Sequence, residues 1–235
     1  MSLHIDILSA VPKLLDSPLN ESILHRAQEK QLVQITVHDL RAFTHDKHHT
    51  LDESPYGGGA GMILKPEPIF ECVESLQAQR KYDEIIYVTA DGEPFTQKIA
   101  NELSLKSNLI ILCGHYKGID ERVRSTSGGL ITREISIGDY VLTGGEIAAL
   151  VITDAIARLI PGVIGDGESA LNDSFQDGLL DAPYYTRPPE FRGLKVPDVL
   201  LSGNHKDIAE WRDQQRQQRT MDRRKDLIEK HNIGQ

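Results

Sequence analysis

Cysteine is scarce in this sequence, and its scarcity excludes two classes of fold. Cys72 and Cys113 are the only two among 235 residues. They provide neither a disulfide framework nor a thiolate metal cluster, and they suit a reducing compartment. Long hydrophobic runs are also missing, since Asp154 and Arg158 break the longest apolar stretch before it reaches membrane-spanning length. The opening MSLHIDILSA has no basic region ahead of an apolar core, so no secretory signal is expected and the cytoplasm is the expected location. Internal repeats and low-complexity tracts are absent. So are two nucleotide-binding signatures: G-x-G-x-x-G after a strand, and a glycine loop ending in Gly-Lys-Ser/Thr. Their absence counts against a dinucleotide-binding domain and against a phosphate-binding NTPase. Positive charge is in deficit overall. The net charge of −9 argues, taken alone, against a polyanionic partner.

That average conceals an asymmetry. Residues 174–235 carry 11 Lys+Arg against 10 Asp+Glu, whereas the preceding 173 residues carry 15 against 25. The C-terminal quarter therefore differs in charge from the rest, which supports a second domain with its own task. With 39% hydrophobic and 26% charged residues, the composition is that of a globular chain able to bury a core.

Residues 1–161 alternate between two patterns. Short runs rich in Ile, Val and Leu at 3–8, 32–38, 84–89, 109–113 and 130–135 predict strands. Helical patterns lie at 20–30, 67–79, 95–103, 119–125 and 146–159. Continuous apolar strands are typical of a parallel sheet covered on both faces, so the fold class is α/β. Residues 162–173, IPGVIGDGESALND less its first two residues, are rich in glycine and acids and predict a flexible connector. Residues 174–235 then predict a small helical domain, with the strongest signal at 207–229. There Arg212, Arg216, Arg219 and Arg223 recur at helical spacing and share one face.

Candidate chemistry concentrates in loops after predicted strands, where open α/β sheets bind ligands. These are TADGEP at 89–94, CGHYKGIDER at 113–122 and SIGDYVLTGGE at 136–146. Glycine lets backbone approach a flat ligand closely, but the same glycines could simply make turns. A fourth glycine cluster, YGGGAGM at 56–62, follows His45, Asp46, His48, His49 and Asp52. No Cys or His pair elsewhere completes a zinc site, so a solvated polar loop is expected and no metal is assigned. Cys113 ends an apolar strand and reads as core. Arg158 sits on an apolar helix and must meet an anion. Asp154, one turn earlier, could pair with it, or it could face a site where negative charge develops. Asp173, in LNDSF, reads by spacing as a helix N-cap.

Taken in order, YGGGAGMILKPEP, CGHYKGIDERV, SIGDYVLTGGE, ARLIPGVIG, DSFQDGLLDAPYYTRPPEFRG and VPDVLLSGNHKDIAEWR closely resemble the bacterial tRNA (guanine-N1)-methyltransferases of the SPOUT superfamily, over nearly the whole chain. The resemblance implies a parallel sheet whose C-terminal part forms a trefoil knot, against the usual rule that chains do not thread loops. It also implies an obligate homodimer with the active site at the subunit interface. The knot is implied to hold S-adenosylmethionine through Thr89, Gly114, Tyr116, Ile137, Gly138, Asp139, Tyr140, Val141, Leu142, Gly144 and Gly145. The implied substrate is the guanosine at tRNA position 37, beside the anticodon. Asp173 matches the family's general base for N1, and Arg158 the cation beside O6. Asp181 and Arg187 match residues around the target base, and Arg212, Arg216 and Arg219 become candidate phosphate contacts in the tRNA anticodon stem-loop. Two departures stand out. His115-Tyr116-Lys117 replaces a common Arg-Tyr-Glu whose glutamate is tied to divalent-ion dependence, so a magnesium requirement is left open. Thr89-Ala90 stands where Ser-Pro is common. Other functions to weigh are a different SPOUT RNA methyltransferase and a non-catalytic RNA-binding module.

Overall fold

In the computed structural model, residues 2–125, 127–165 and 173–228 are described. The chain divides into two compact units, Met1–Gly167 and Glu168–Gln235. Most of the expected connector, 166–172, lies outside the described residues.

The first unit is built on five parallel strands: β1 (Leu3–Ser9), β2 (Val33–Asp39), β5 (Glu84–Pro94), β6 (Asn108–Cys113) and β7 (Arg133–Ser136). Their spatial order is β2-β1-β6-β5-β7. Between β2 and β5 the chain makes a small antiparallel pair, β3 (Asp52–Glu53) with β4 (Ile63–Leu64). Alternate strand residues face opposite sides of a sheet, and both sides here are apolar. Ile5, Ile7, Leu109 and Ile111 enter one core, while Leu8, Ile110 and Leu112 enter the other. Helices α1 (Lys13–Leu19), α2 (Ser22–Glu29), α4 (Gln97–Ser104) and α6 (Glu146–Ala157) cover the first face. Helices α3 (Pro66–Gln77) and α5 (Glu121–Arg124) cover the second. Each fully buried Ile or Leu contributes about 1.5–3 kcal/mol, so the doubly covered sheet is the stable solution for such strands.

Local signals set several helix starts. Pro66 occupies the first turn of α3, where its missing N–H costs nothing, and the Thr96 side chain accepts from the Ile99 N–H to cap α4. Helix α1 lies outside the helical patterns expected from the sequence; Pro18 falls on its next-to-last residue. Strand β5 runs past its expected end at Thr89. Val88 and Glu93 both pair with Ile135, so residues 89–92 form a bulge inside the strand instead of a loop after it.

The second unit is less helical than expected. Residues 173–189 carry turns and no helix, and the hairpin β8 (Glu190–Phe191) with β9 (Leu194–Lys195) follows. Pro183, Pro188 and Pro189 remove donors a helix there would need. Helices α7 (Asp198–Leu201) and α8 (His205–Arg223) come next. Helix α8 breaks at Arg224, whose backbone is non-helical; residues 225–228 are helical again, and the expected end at Glu229 lies outside the described residues. Buried Thr220 ties α8 to the turn region, accepting from the Leu180 N–H at 2.9 Å and donating to the Arg216 carbonyl at 2.7 Å. Among the described residues no helix is long and apolar enough to cross a membrane.

Candidate active site

The connection from β5 through α4 leads to β6 on one side, and the next strand, β7, lies on the other side of β5. A reversal of this kind opens a crevice at the carboxyl ends of the strands. Three segments meet there: Tyr87–Ala90 from β5, Gly114–Gly118 after β6, and the stretch from Ile135 to Gly145 after β7. The last closes on the second. Gly144 bridges His115 in antiparallel fashion, and the Gly145 N–H donates to the Gly114 carbonyl at 2.8 Å. A Cβ on Gly145 would lie 2.8 Å from Val88 Cγ2 and 2.9 Å from both Cys113 Cα and Gly114 N. The chain passes there with room for hydrogen alone. Within the third segment the Tyr140 N–H bonds the Gly138 carbonyl at 2.9 Å and its hydroxyl donates to the Ile137 carbonyl at 3.2 Å, curling the loop on itself.

The bulge in β5 is held by charge. Arg124 donates to Glu134 at 2.9 and 2.6 Å and to Asp91 at 2.7 Å, while its guanidinium stacks 5.5 Å from the Tyr87 ring centre. The hydrogen bonds to Glu134 and the nearby carboxylates raise the Arg124 pKa. Thr89 donates to Asp91, and this bond, with Arg124, holds the Asp91 carboxyl below its ordinary value.

Behind Gly144 and Gly145 lies Glu146, the first residue of α6 and 1% exposed. Its Oε1 accepts from the buried Ser9 hydroxyl at 2.7 Å, and its Oε2 stands 3.9 Å from His115 Nδ1. Burial first, and then the Glu146 charge, push the Cys113 thiol well above its usual value, so Cys113 is an inert core residue. Lys117 lies over the glycine cluster: its N–H donates to the Met62 carbonyl at 3.0 Å, and a Cβ on Gly61 would meet Lys117 Cγ at 2.6 Å. Among the described residues the cleft lining carries no carboxylate, and its only basic side chains are His115 and Lys117. Backbone, aromatic and aliphatic groups make up the rest. Such a donor set suits a nucleoside of small charge far better than a polyphosphate.

Comparison with known proteins decides the family. The family model described as tRNA (Guanine-1)-methyltransferase TrmD matches residues 3–230. A tRNA (guanine-N(1)-)-methyltransferase of Azobacteroides pseudotrichonymphae is 60% identical over 96% of this chain and 100% of its own length. Proteins of the same name are 57% identical in Bacteroides fragilis, over 97% of this chain and 100% of theirs, and 56% in Chlorobaculum tepidum, over 97% and 98%. The chain belongs to this methyltransferase family.

Ten of the eleven residues expected around the family's cofactor line the cleft: Thr89, Gly114, Tyr116, Ile137, Gly138, Tyr140, Val141, Leu142, Gly144 and Gly145. Asp139 is exposed and outside the lining. Arg158 is half-buried and closes α6 as its C-cap, its N–H bonded to the Asp154 carbonyl at 3.1 Å. Asp173 does not cap a helix; its carbonyl receives the Gln176 N–H at 3.4 Å in a turn. Asp181 is engaged locally, accepting from the Ala182 N–H at 2.7 Å and the Tyr184 hydroxyl at 2.5 Å. Arg187 and Arg212 come together on the wall of a hollow that also contains Tyr184, Tyr185 and Ile208. The arginine face of α8 is not uniform. Arg212 and Arg223 are exposed, Arg219 is half-buried, and Arg216 donates to both Asp177 oxygens at 2.5 and 2.6 Å.

Sequence reasoning assigned no role to Ser9, Tyr87, Arg124 and Glu146, and noted His115 only as a departure from the family pattern. A signal existed for Glu146: an acid opening an apolar helix has to be satisfied by something. Nothing in the sequence links Arg124 to residues 10 and 33 positions away.

Proposed function

We propose that the chain transfers a methyl group from S-adenosylmethionine to N1 of the guanosine at position 37 of tRNA. Family membership supports the reaction class. The observation that carries the reading is the cleft at the ends of β5, β6 and β7, whose glycine-lined, weakly charged walls fit a nucleoside bearing one positive sulfur. Thr89, Gly114, Tyr116, Ile137, Gly138, Tyr140, Leu142 and Gly145 would hold it. When bound it supplies an electrophilic methyl carbon on a sulfonium, which departs as a neutral thioether.

The protein's own groups act on the guanine. N1 is a poor nucleophile while it keeps its proton. Asp173 takes that proton as the N1–methyl bond forms and the carbon–sulfur bond breaks. Arg158 donates to O6, where electron density accumulates. A free aspartate is a weak base near neutrality, so Asp173 works once desolvated over the bound base. Residues 1–161 bind the cofactor in a knotted C-terminal half, 162–173 link, and 174–235 receive the anticodon stem-loop. The narrow passage of Gly145 beside Cys113 and Gly114 supports the knot. Arg212, Arg216 and Arg219 meet phosphate, with Arg216 first exchanging Asp177, while Asp181 and Arg187 lie around the target base. The reading also includes a homodimer. Helix α6 leaves Ile147 and Val151 half-exposed one turn apart, and Val141 and Leu142 are exposed nearby in sequence, an apolar surface a partner copy would cover. The enzyme works in the cytoplasm, where its substrate is.

The test is methyl transfer from labelled S-adenosylmethionine to tRNA transcripts that differ only at positions 36 and 37. Product is expected on guanosine 37 alone, best after guanosine 36. Asp173→Ala is expected to lose about 100- to 10,000-fold in rate with cofactor binding intact. Undiminished transfer by that variant would remove Asp173 from the chemistry.

A further inference from the structure

Glu146 has no part in the scheme above, yet the fold gives it an unusual setting. It is a carboxylate 1% exposed, placed at the start of the twelve-residue α6, where the helix dipole favours negative charge. Ser9, itself fully buried, anchors one oxygen at 2.7 Å. The other oxygen faces His115 Nδ1 at 3.9 Å, and that nitrogen is buried with no hydrogen-bond partner among the described residues. Gly144 lies between the two. A Cβ there would fall 2.6 Å from His115 Nδ1 and collide with the Glu146 carboxylate. The imidazole is 24% exposed although Nδ1 is buried, and His115 lines the cleft, so the opposite ring edge faces the ligand space.

In a neutral imidazole, the bond made by one nitrogen fixes what the other can do. We propose that Glu146, anchored by Ser9, holds His115 as the Nδ1–H tautomer, so that Nε2 presents a lone pair to a hydroxyl or ammonium donor of the molecule in the cleft. A shift of about 1 Å closes Nδ1 onto Oε2 to hydrogen-bond distance. Glu146 is thereby a positioning residue for binding, and His115 a contact that sets which donor the cleft accepts. The inference rests on the cleft being the cofactor site.

The experiment uses the full-length protein labelled with 15N-histidine, with the His115 ring signals assigned by their disappearance in His115→Gln. In the wild type, His115 is expected to show a protonated Nδ1 and an unprotonated Nε2. In Glu146→Gln the side-chain amide can donate to Nδ1, and the population should move toward the Nε2–H form. KM for S-adenosylmethionine should rise about tenfold in both variants, the loss of one hydrogen bond of about 1.4 kcal/mol, with kcat nearly unchanged. A wild-type His115 protonated at Nε2, or a tautomer indifferent to Glu146→Gln, overturns the proposal. The wild-type spectrum alone decides if Glu146→Gln does not fold. Failure of the wild type to bind S-adenosylmethionine would instead overturn the cofactor reading, leaving the tautomer result standing.

Discussion

Gly145→Ala places one methyl group where the chain passes between β5 and the end of β6. The added carbon would meet Val88 Cγ2 at 2.8 Å, and Cys113 Cα and Gly114 N at 2.9 Å. Two of these three neighbours are backbone atoms, which cannot rotate away. Strands β5 and β6, paired through Val88 and Cys113, resist separation. Overpacking of this kind costs about 1–3 kcal/mol. Displacing the Gly145 N–H from the Gly114 carbonyl, now 2.8 Å away, adds about 1 kcal/mol. The total, about 2–4 kcal/mol, corresponds to a drop in melting temperature of roughly 5–15 °C for a chain of this size. The natural control is Gly165→Ala, because Gly165 has open space around its hypothetical Cβ and an unstrained φ. It should melt within about 2 °C of wild type. Thermal unfolding with and without S-adenosylmethionine measures both effects, and Gly145→Ala should also weaken the ligand-induced stabilisation. Should Gly145→Ala melt with its control and bind the cofactor normally, the tight passage does not exist and the cleft is assembled differently.

Two further outcomes are expected. Buried Asp6 accepts from the Tyr82 hydroxyl and pairs with His38 Nε2, both at 2.7 Å. Burial pushes its carboxyl up, but the His38 and Tyr82 hydrogen bonds and the attraction of His38 and Arg80 outweigh this, so the folded pKa is lowered. Its stabilisation is therefore fully present above the unfolded value near pH 4 and is lost as pH falls through the lower folded value. Asp6→Asn should cost about 1–3 kcal/mol at pH 7 and flatten the decline in stability below pH 4 seen in urea titrations; an unchanged acid limb would refute this. The double change Ile147→Asp with Val151→Asp puts two charges on the exposed stripe of α6. Sedimentation should show the proposed dimer weakened by at least about a hundredfold, and a dimer that persists would move the interface off α6.

Much of the fold was legible because hydrophobic periodicity is local. The five strands and the central helices fall within a few residues of their predicted positions, since runs such as Leu109–Ile111 and the apolar α6 admit few alternatives. Errors arose where a local rule met a distant partner. Residues 89–94, TADGEP, look like a loop because Asp91, Gly92 and Pro94 are turn residues, yet Glu93 and Pro94 resume pairing with β7. Asp173 looks like a cap, but the prolines that follow deny it a helix.

The amino-acid sequence alone determined the α/β class, the charge contrast between the two parts of the chain, the glycine-bearing segments and, through their motifs, the family. Those depend on residue type and spacing along one chain. Only the tertiary structure decided that three such segments converge, that Arg124 pins the bulge of β5, and that Ser9 and Glu146 stand in a row behind His115 of the cleft wall. Ser9 and Glu146 are 137 positions apart. Strand order brings them together, and strand order follows from how two apolar sheet faces are covered, which no local pattern records.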